Sequence, residues 1–407
     1  MSESTFSLQR RRTAHDVLEN AWSGEPFTAS DLIARTGLTR STVIAVCDDL
    51  IELGWLEELE NQRAAGAYVK GRPARRYALR RRAGVVVGVD AGQHSIGVLV
   101  ADLLGDSVVR RIESVDHERI DDLLPQRRRA DIERVIDRAL EQAGVEDSAV
   151  LALTLGVPAP VDALGASPAD ANGFWAAMNP GLVDTITAHG RSPVIDNDAN
   201  LAALAEGWRG AAVNCDDYLT LLSGERLGGG VVLGGALLRG ARGLSGEMRY
   251  LDMVEGVGSA DGVAALARIW AREALARPGR PASLLEGVEH LGAEQVIEAA
   301  LAGDALAGEV MDRLADRLTR IAATLANLLD VSLIVVGGAL AASAAPLLEE
   351  VSARVAAHVH APAPRIVAST LGDRAVVLGA VRAGLDRVRA DPLALHLPGR
   401  TLGSAIG

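Results

Sequence analysis

The chain has 407 residues, 49% of them hydrophobic but only 3% aromatic, with a formal net charge of −12. Such length and apolar content exclude a disordered chain and allow two or three domains; a core of Ala, Val, Leu and Ile suits helices on sheets better than an aromatic-rich sandwich, so the expected class is α/β. The charge is uneven: residues 1–82 carry 13 basic against 11 acidic side chains, residues 83–407 carry 28 against 42, and 62–82 carry eight basic and no acidic ones, which points to a polyanion at one end only.

No apolar run follows Arg10, Arg11 and Arg12, so no secretory signal is expected and the cytoplasm is the expected compartment. Val17, Leu18 and Ala21 recur at helical spacing in a first helix over 13–23 that stops at Gly24. Next, Ser30 is expected to cap a short helix ending at Thr36, with a turn at Gly37 and Thr39 capping a second helix whose Val43, Val46 and Leu50 share a face with Leu38 and Leu53. Two helices joined by a short Gly-containing turn match a helix-turn-helix. Its second helix would present Thr39, Arg40, Ser41 and Thr42 to a DNA major groove, with Arg40 suited to bidentate contact with guanine. Strands are expected over 55–59 and from Gly71 in GRPARRYAL, making a wing on which Arg72, Arg75 and Arg76 meet phosphate or the minor groove. With Arg80, Arg81 and Arg82, these side chains predict strongly salt-dependent DNA binding.

From Gly84 the chain reads as a buried strand, a turn at residues 90–94, a second strand, a turn at Gly105 and a third strand. From Asp217 the pattern repeats, with LSGERLGGG as its first turn and Gly234 and Gly235 as its second. Backbone N–H groups of such glycine turns can form anion sites, and a duplicated unit of this kind suits an actin-like ATPase fold. Between the copies, VIDNDANLAALAEGW places Asp198 at a strand-to-helix corner, either as a helix cap or as a base facing a cleft. The uncharged run 331–348 is broken by Gly337, Gly338, Ser343 and Pro346, so a buried strand, a turn and a helix are expected, not a membrane span. Cys47 and Cys215 lack CxxC spacing, against a disulfide framework or a cysteine zinc site.

The motifs GRPARRY, VGVDAG, LGVPAPVD, NDAN, LSGERLGGG, SGEMRY and IVVGGAL, taken with the helix-turn-helix, resemble the ROK family (repressors, open reading frames and sugar kinases), specifically its repressor branch. The resemblance implies a winged helix-turn-helix over 1–82. It also implies a two-lobed, actin-like ROK domain over 83–407, its smaller lobe about 83–204 plus a C-terminal helix about 373–390 and its larger lobe about 205–372. Asn197 and Asp198 would match the sugar-contacting Asn and the catalytic Asp of the kinases, and Glu247 the Glu that contacts sugar hydroxyls. Asp90 and Gly92 would match the first phosphate turn, Gly224, Gly228, Gly229 and Gly230 the second, and Gly337 with Gly338 the adenosine loop. A further sugar-gripping Asn would be Asn172, by spacing, in preference to Asn179. Implied partners are operator DNA, a sugar effector and at least one further copy of the chain, with no membrane.

Departures from the family pattern bear on cofactors. Glu225 and Arg226 stand where the kinases carry a small hydroxylated residue, and Gln93 and His94 replace Thr-Lys in the first turn. A carboxylate about 4 Å from a phosphate charge, at an effective dielectric near 20, costs about 4 kcal/mol, so poor ATP binding and vestigial nucleotide turns are expected. Arg249 and Tyr250 replace Gly-His, and no Cys follows in 252–268, so no zinc site is expected; Tyr250 can still offer a hydroxyl to a sugar. The expectation is a sugar-controlled DNA-binding regulator of carbohydrate-related genes, a repressor without turnover or cofactor. The alternatives are an Mg-ATP-dependent sugar kinase with Asp198 as base, fused to a DNA-binding domain, and a DNA-binding scaffold that senses nothing.

Overall fold

The computed structural model describes residues 8–60, 75–115, 124–170, 173–185, 193–289, 291–338 and 345–398. At the N-terminus, α1 (Leu8–Ala21), α2 (Ala29–Thr36) and α3 (Arg40–Glu52) pack on a small antiparallel sheet of β1 (Phe27–Thr28), β2 (Leu56–Leu59) and β3 (Arg76–Leu79), in the order β1-β3-β2. The cap of α2 is Thr28, not Ser30: the Thr28 hydroxyl accepts the Asp31 N–H while the Asp31 carboxylate accepts the Thr28 N–H at 2.7 Å, a reciprocal pair that Ser30 lacks the spacing to make. Gly37 closes α2 at φ 69°, and Thr39 caps α3 by accepting the Thr42 N–H. Val17, Leu18, Ala21, Val43, Val46 and Leu50 are buried as the helical spacing requires.

Next comes a five-stranded sheet with the order β6-β5-β4-β7-β8. It comprises β4 (Val85–Ala91), β5 (Ser95–Ala101), β6 (Ser107–Ser114), β7 (Val150–Val157) and β8 (Val194–Asn197), interrupted in sequence by α4 (Pro125–Ala143), α5 (Phe174–Met178) and α6 (Leu182–Thr185). β4, β5 and β6 form antiparallel hairpins, whereas β7 and β8 run parallel to β4. All eight residues of β7 are buried, as expected for a parallel strand covered on both faces. Helix α7 (Asp198–Arg209) leads to a second five-stranded sheet, β11-β10-β9-β12-β13. Its strands are β9 (Tyr218–Ser223), β10 (Leu227–Leu233), β11 (Ala236–Leu237), β12 (Leu333–Gly337) and β13 (Arg365–Ala368). Again the first three are antiparallel and the last two parallel, so the repeat legible in the sequence is a repeat of topology.

Helices α8 (Val263–Leu275), α9 (Ala293–Leu301), α10 (Ala305–Leu329) and α11 (Ala345–Val355) bury their apolar faces in one cluster with the second sheet. The last helix, α12 (Ala375–Ala390), returns to pack on β4, β7 and α7. Two contacts bring backbone against backbone: a Cβ at Gly379 would lie 1.7 Å from the Leu201 carbonyl oxygen, and one at Gly230 would lie 2.3 Å from that of Ala199. Only glycine permits α12 and β10 to close on α7 at these points.

The N-terminal helices do not stand apart. Residues of α1, α3 and β3 share one buried cluster with Val86, Leu99 and Leu151 of the first sheet, Leu103 of its β5–β6 turn, and Val381, Leu385 and Val388 of α12. The Leu103 N–H donates to the Arg81 carbonyl at 3.0 Å, Arg81 pairs with buried Asp102 at 2.8 Å, and Arg389 stacks 5.2 Å from the Trp22 ring. No helix among the described residues is long and apolar enough to cross a membrane.

Candidate functional site

The two sheets face a cleft of roughly 500 Å³. Its lining draws on both glycine turns, on the β8–α7 corner and on the N-terminal end of α12. Asp90, Gly92, Asn197, Asp198, Gly224, Gly228, Glu247 and Gly338 all reach it, so the sequence-marked motifs converge. Gly229, Gly230 and Gly337 do not line it. A Cβ on Gly229 would meet Met248 Cε at 2.2 Å, and Gly230 seats α7; these two glycines serve packing rather than an anion cradle. Asn172 lies outside the described residues, as does the Tyr250 side chain. Asn179 is buried away from the cleft, with its Nδ2 donating to Gly165 O at 3.0 Å and Ser167 Oγ at 2.9 Å.

Asn197, not Asp198, caps α7. Its Oδ1 accepts the N–H groups of Ala199 and Asn200 at 3.0 and 3.1 Å, and its Nδ2 donates to Ala159 O at 3.1 Å. Not needed for capping, Asp198 stands at the first helical position, accepting the Ala199 N–H at 2.8 Å. Burial pushes its carboxyl up to about 7, helped by the nearby Asp90 and Glu247 charges and opposed by the Ala199 N–H. Burial likewise raises Asp90 to about 6 against the pull of the Arg128 cation, and raises Glu247 against the Arg249 N–H it accepts. Asp198 and Asp90, both raised toward neutrality in a cleft, have the pattern found at functional sites as well as at merely confined ones.

Supporting contacts fix these side chains. Asp196 is buried beneath the corner, accepting from Asn197 N at 2.8 Å and Asn200 Nδ2 at 3.1 Å and pairing with Arg239 at 2.7 Å. Arg128, buried on α4, donates to Gly92 O at 2.6 Å and to Ala91 O, holding the first turn.

Glu225 does reach the cleft, but it is not a lone carboxylate. Arg268 bridges it at 2.8 and 2.7 Å and holds it below the usual carboxylate range. The repulsion expected from the sequence is therefore reduced by the Arg268 charge beside the second turn.

The family pattern implies zinc after the Glu247 motif, and the residues here do not fit it. Residues 251–262 contain neither Cys nor His. Instead the buried Arg317 guanidinium from α10 donates to Val257 O at 2.9 Å, Ser259 O at 2.6 Å and Asp261 O at 2.8 Å. A guanidinium ties the loop together through its carbonyls.

Sequence reasoning missed Asp170, Phe174 and Trp175 as lining residues, together with Arg110, Asp373, Val376 and Val377. An adjacent Phe-Trp pair in so aromatic-poor a chain was the available signal. At the other end of the molecule, Thr39, Arg40, Ser41 and Thr42 are exposed at the start of α3. The wing expectation needs correction at Arg75, which is committed to Asp48 at 2.7 Å and Glu58 at 2.9 Å and stacks on Tyr77. Arg76 pairs across from Thr28 on β3, and Arg72 lies outside the described residues.

A model described as the ROK family matches residues 86–385. The glucokinase of Halalkalibacterium halodurans is 30% identical over 72% of this chain and 92% of its own. The xylose repressor of Caldicellulosiruptor bescii is 24% identical over 90% of this chain and 93% of its own. Among solved structures, a ROK family transcriptional regulator, described as a homologue of the E. coli MLC protein, has the same fold, with a TM-score of 0.73 at 22% identity over 95% of this chain and 98% of that one.

Proposed function

This chain belongs to the ROK family, and we propose that it is a DNA-binding transcriptional repressor controlled by a sugar held in the cleft. The observation that carries the reading is the reach of α12. Its first residues, Ala375, Val376 and Val377, line the cleft, while Leu385, Val388 and Arg389 pack on α1 and its neighbours. A helix of sixteen residues spans about 24 Å, so one rigid element touches both sites.

Residues 1–82 act as a winged helix-turn-helix with Arg40, Ser41 and Thr42 of α3 at the bases. Two of the three acids of α3 favour this, because Asp48 is neutralised by Arg75 and Asp49 by Arg10 at 2.5 Å, which lowers the repulsion of DNA phosphates. The breadth of the match supports it too: the xylose repressor aligns with 90% of this chain and the glucokinase with 72%. In the cleft, Asn197, Asp198 and Glu247 grip sugar hydroxyls, with Asn172 and Tyr250 as further contacts. The moving parts are residues 83–204 with 373–390 against 205–372, and the DNA reader is a dimer or a higher oligomer, as palindromic half-sites favour. The effector acts by binding one arrangement of these parts better than the other.

A second reading, ATP-dependent sugar phosphorylation, is favoured by Asp198, whose carboxyl near 7 suits a general base. A thermal-shift panel of monosaccharides and disaccharides, with and without Mg-ATP, separates the two. A ligand at 100 times its dissociation constant adds about 2.7 kcal/mol, so sensing requires one sugar to raise the melting temperature with nothing added by ATP. Stabilisation by ATP, with phosphorylation lost in Asp198→Asn, would establish the kinase.

A further inference from the structure

The cleft holds a cation that the sugar-sensing account leaves unused. Arg226, next to Glu225 in the β9–β10 turn, lies over the Phe174 ring with its Cζ 4.6 Å from the centroid. Each carboxylate that lines the cleft is engaged elsewhere. Glu225 is bridged by Arg268 at 2.8 and 2.7 Å, and Asp373 by Arg110 at 2.7 Å. Asp170 accepts the N–H groups of Phe174 and Trp175 at 3.0 and 3.1 Å, Glu247 that of Arg249 at 3.0 Å and Asp198 that of Ala199 at 2.8 Å. Asp90 feels the buried Arg128 cation. Among the described residues, the Arg226 guanidinium has no hydrogen-bond or ion-pair partner, only the ring beneath it and the more distant charge of Glu247.

A guanidinium held over an aromatic ring still has its N–H groups for an oxyanion, in a fork that suits carboxylate or phosphate. Beside it, Arg249 lies 5.5 Å from the ring of Trp175, the next residue of α5. Both cations thus reach the cleft on one aromatic wall, with the hydroxyl-binding side chains Asn197 and Glu247 lining the same cavity. Resting on the sugar-sensing reading, we infer that the effector is a sugar bearing an anionic substituent, a carboxylate or a phosphate, held by Arg226 with Arg249 beside it.

The test is isothermal titration calorimetry of the full chain with matched probes: glucose and galactose, their 6-phosphates, and the corresponding uronates. A charge-assisted contact of this kind is worth roughly ten-fold in affinity. The expected result is that a charged member binds at least about ten-fold more tightly than its neutral parent. Arg226→Gln erases that difference and Arg226→Lys restores part of it; Arg226 is exposed, and unchanged thermal melting of both variants checks that they fold. Comparison of phosphates with uronates identifies the anion. Neutral parents that bind as tightly as the charged sugars, or a preference that survives Arg226→Gln, overturn this inference alone. Binding by none of the probes overturns the sugar-sensing reading with it.

Discussion

Asp198 carries the cost of the cleft. Its folded carboxyl sits near 7 against an ordinary 3.8 because burial, and then Asp90, disfavour its charge. An acid raised on folding contributes stability that is full below its unfolded value and is lost as pH rises through its folded value. Asp198→Asn keeps the oxygen that accepts the Ala199 N–H and removes the charge, so it stabilises the protein little near pH 4 and by up to about 4 kcal/mol near pH 8. Because Asp90 titrates close by, near 6, the two carboxyl groups share this window. Chemical denaturation at both pH values checks it; an equal difference at both would mean that the Asp198 carboxyl titrates alike in the folded and unfolded chain. At this scale the NDAN corner and Glu247 were legible because they are contiguous motifs. The Glu225–Arg268 bridge was not, since its partners lie 43 residues apart and only the folded chain brings α8 to the turn. Arg75 misled for the same reason: a sequence shows a basic run but not the acids of α3 that absorb one of its members.

Among elements, α7 and α12 pack against each other, and glycine sets how closely they approach. Gly379 meets the Leu201 carbonyl oxygen, whereas Gly308, inside α10, has nothing within 4 Å of its would-be Cβ. Gly379→Ala should therefore cost about 3 kcal/mol or more through overpacking. Gly308→Ala should gain roughly 0.5–1 kcal/mol from helix propensity. Urea unfolding of the pair tests this, and similar values for both would refute the seating of α12 on α7. The hairpin repeats were readable because their strands are adjacent in sequence and their turns carry glycines. Nothing local separates Gly379 from Gly308, since both are helical glycines; only the approach of a second backbone makes one of them obligatory. The Arg317 clamp was likewise hidden, as its carbonyl acceptors at 257–261 lie some 56 to 60 residues away.

For the whole molecule, the charge step at residue 82 marks a basic N-terminal segment but suggests a more independent module than the fold contains. Trp22, Leu103 and Val388 belong to a single buried cluster, so the N-terminal helices, the first sheet and α12 form a continuous body. On the proposed reading, a change at the cleft that shifts α12 is passed through this cluster to α1 and α3. Periodicity and motifs reveal each part; the shared core depends on contacts between the two ends of the chain, which no local pattern encodes. The direct test is the fluorescence anisotropy of labelled operator DNA, selected with this chain, titrated with and without the sugar that raises its melting temperature. The account predicts that saturating sugar changes DNA affinity by about ten-fold or more, a coupling of roughly 1.4 kcal/mol, and that Glu247→Ala abolishes the change while DNA binding without sugar is retained. A sugar that binds the cleft and leaves DNA affinity unaltered would contradict it.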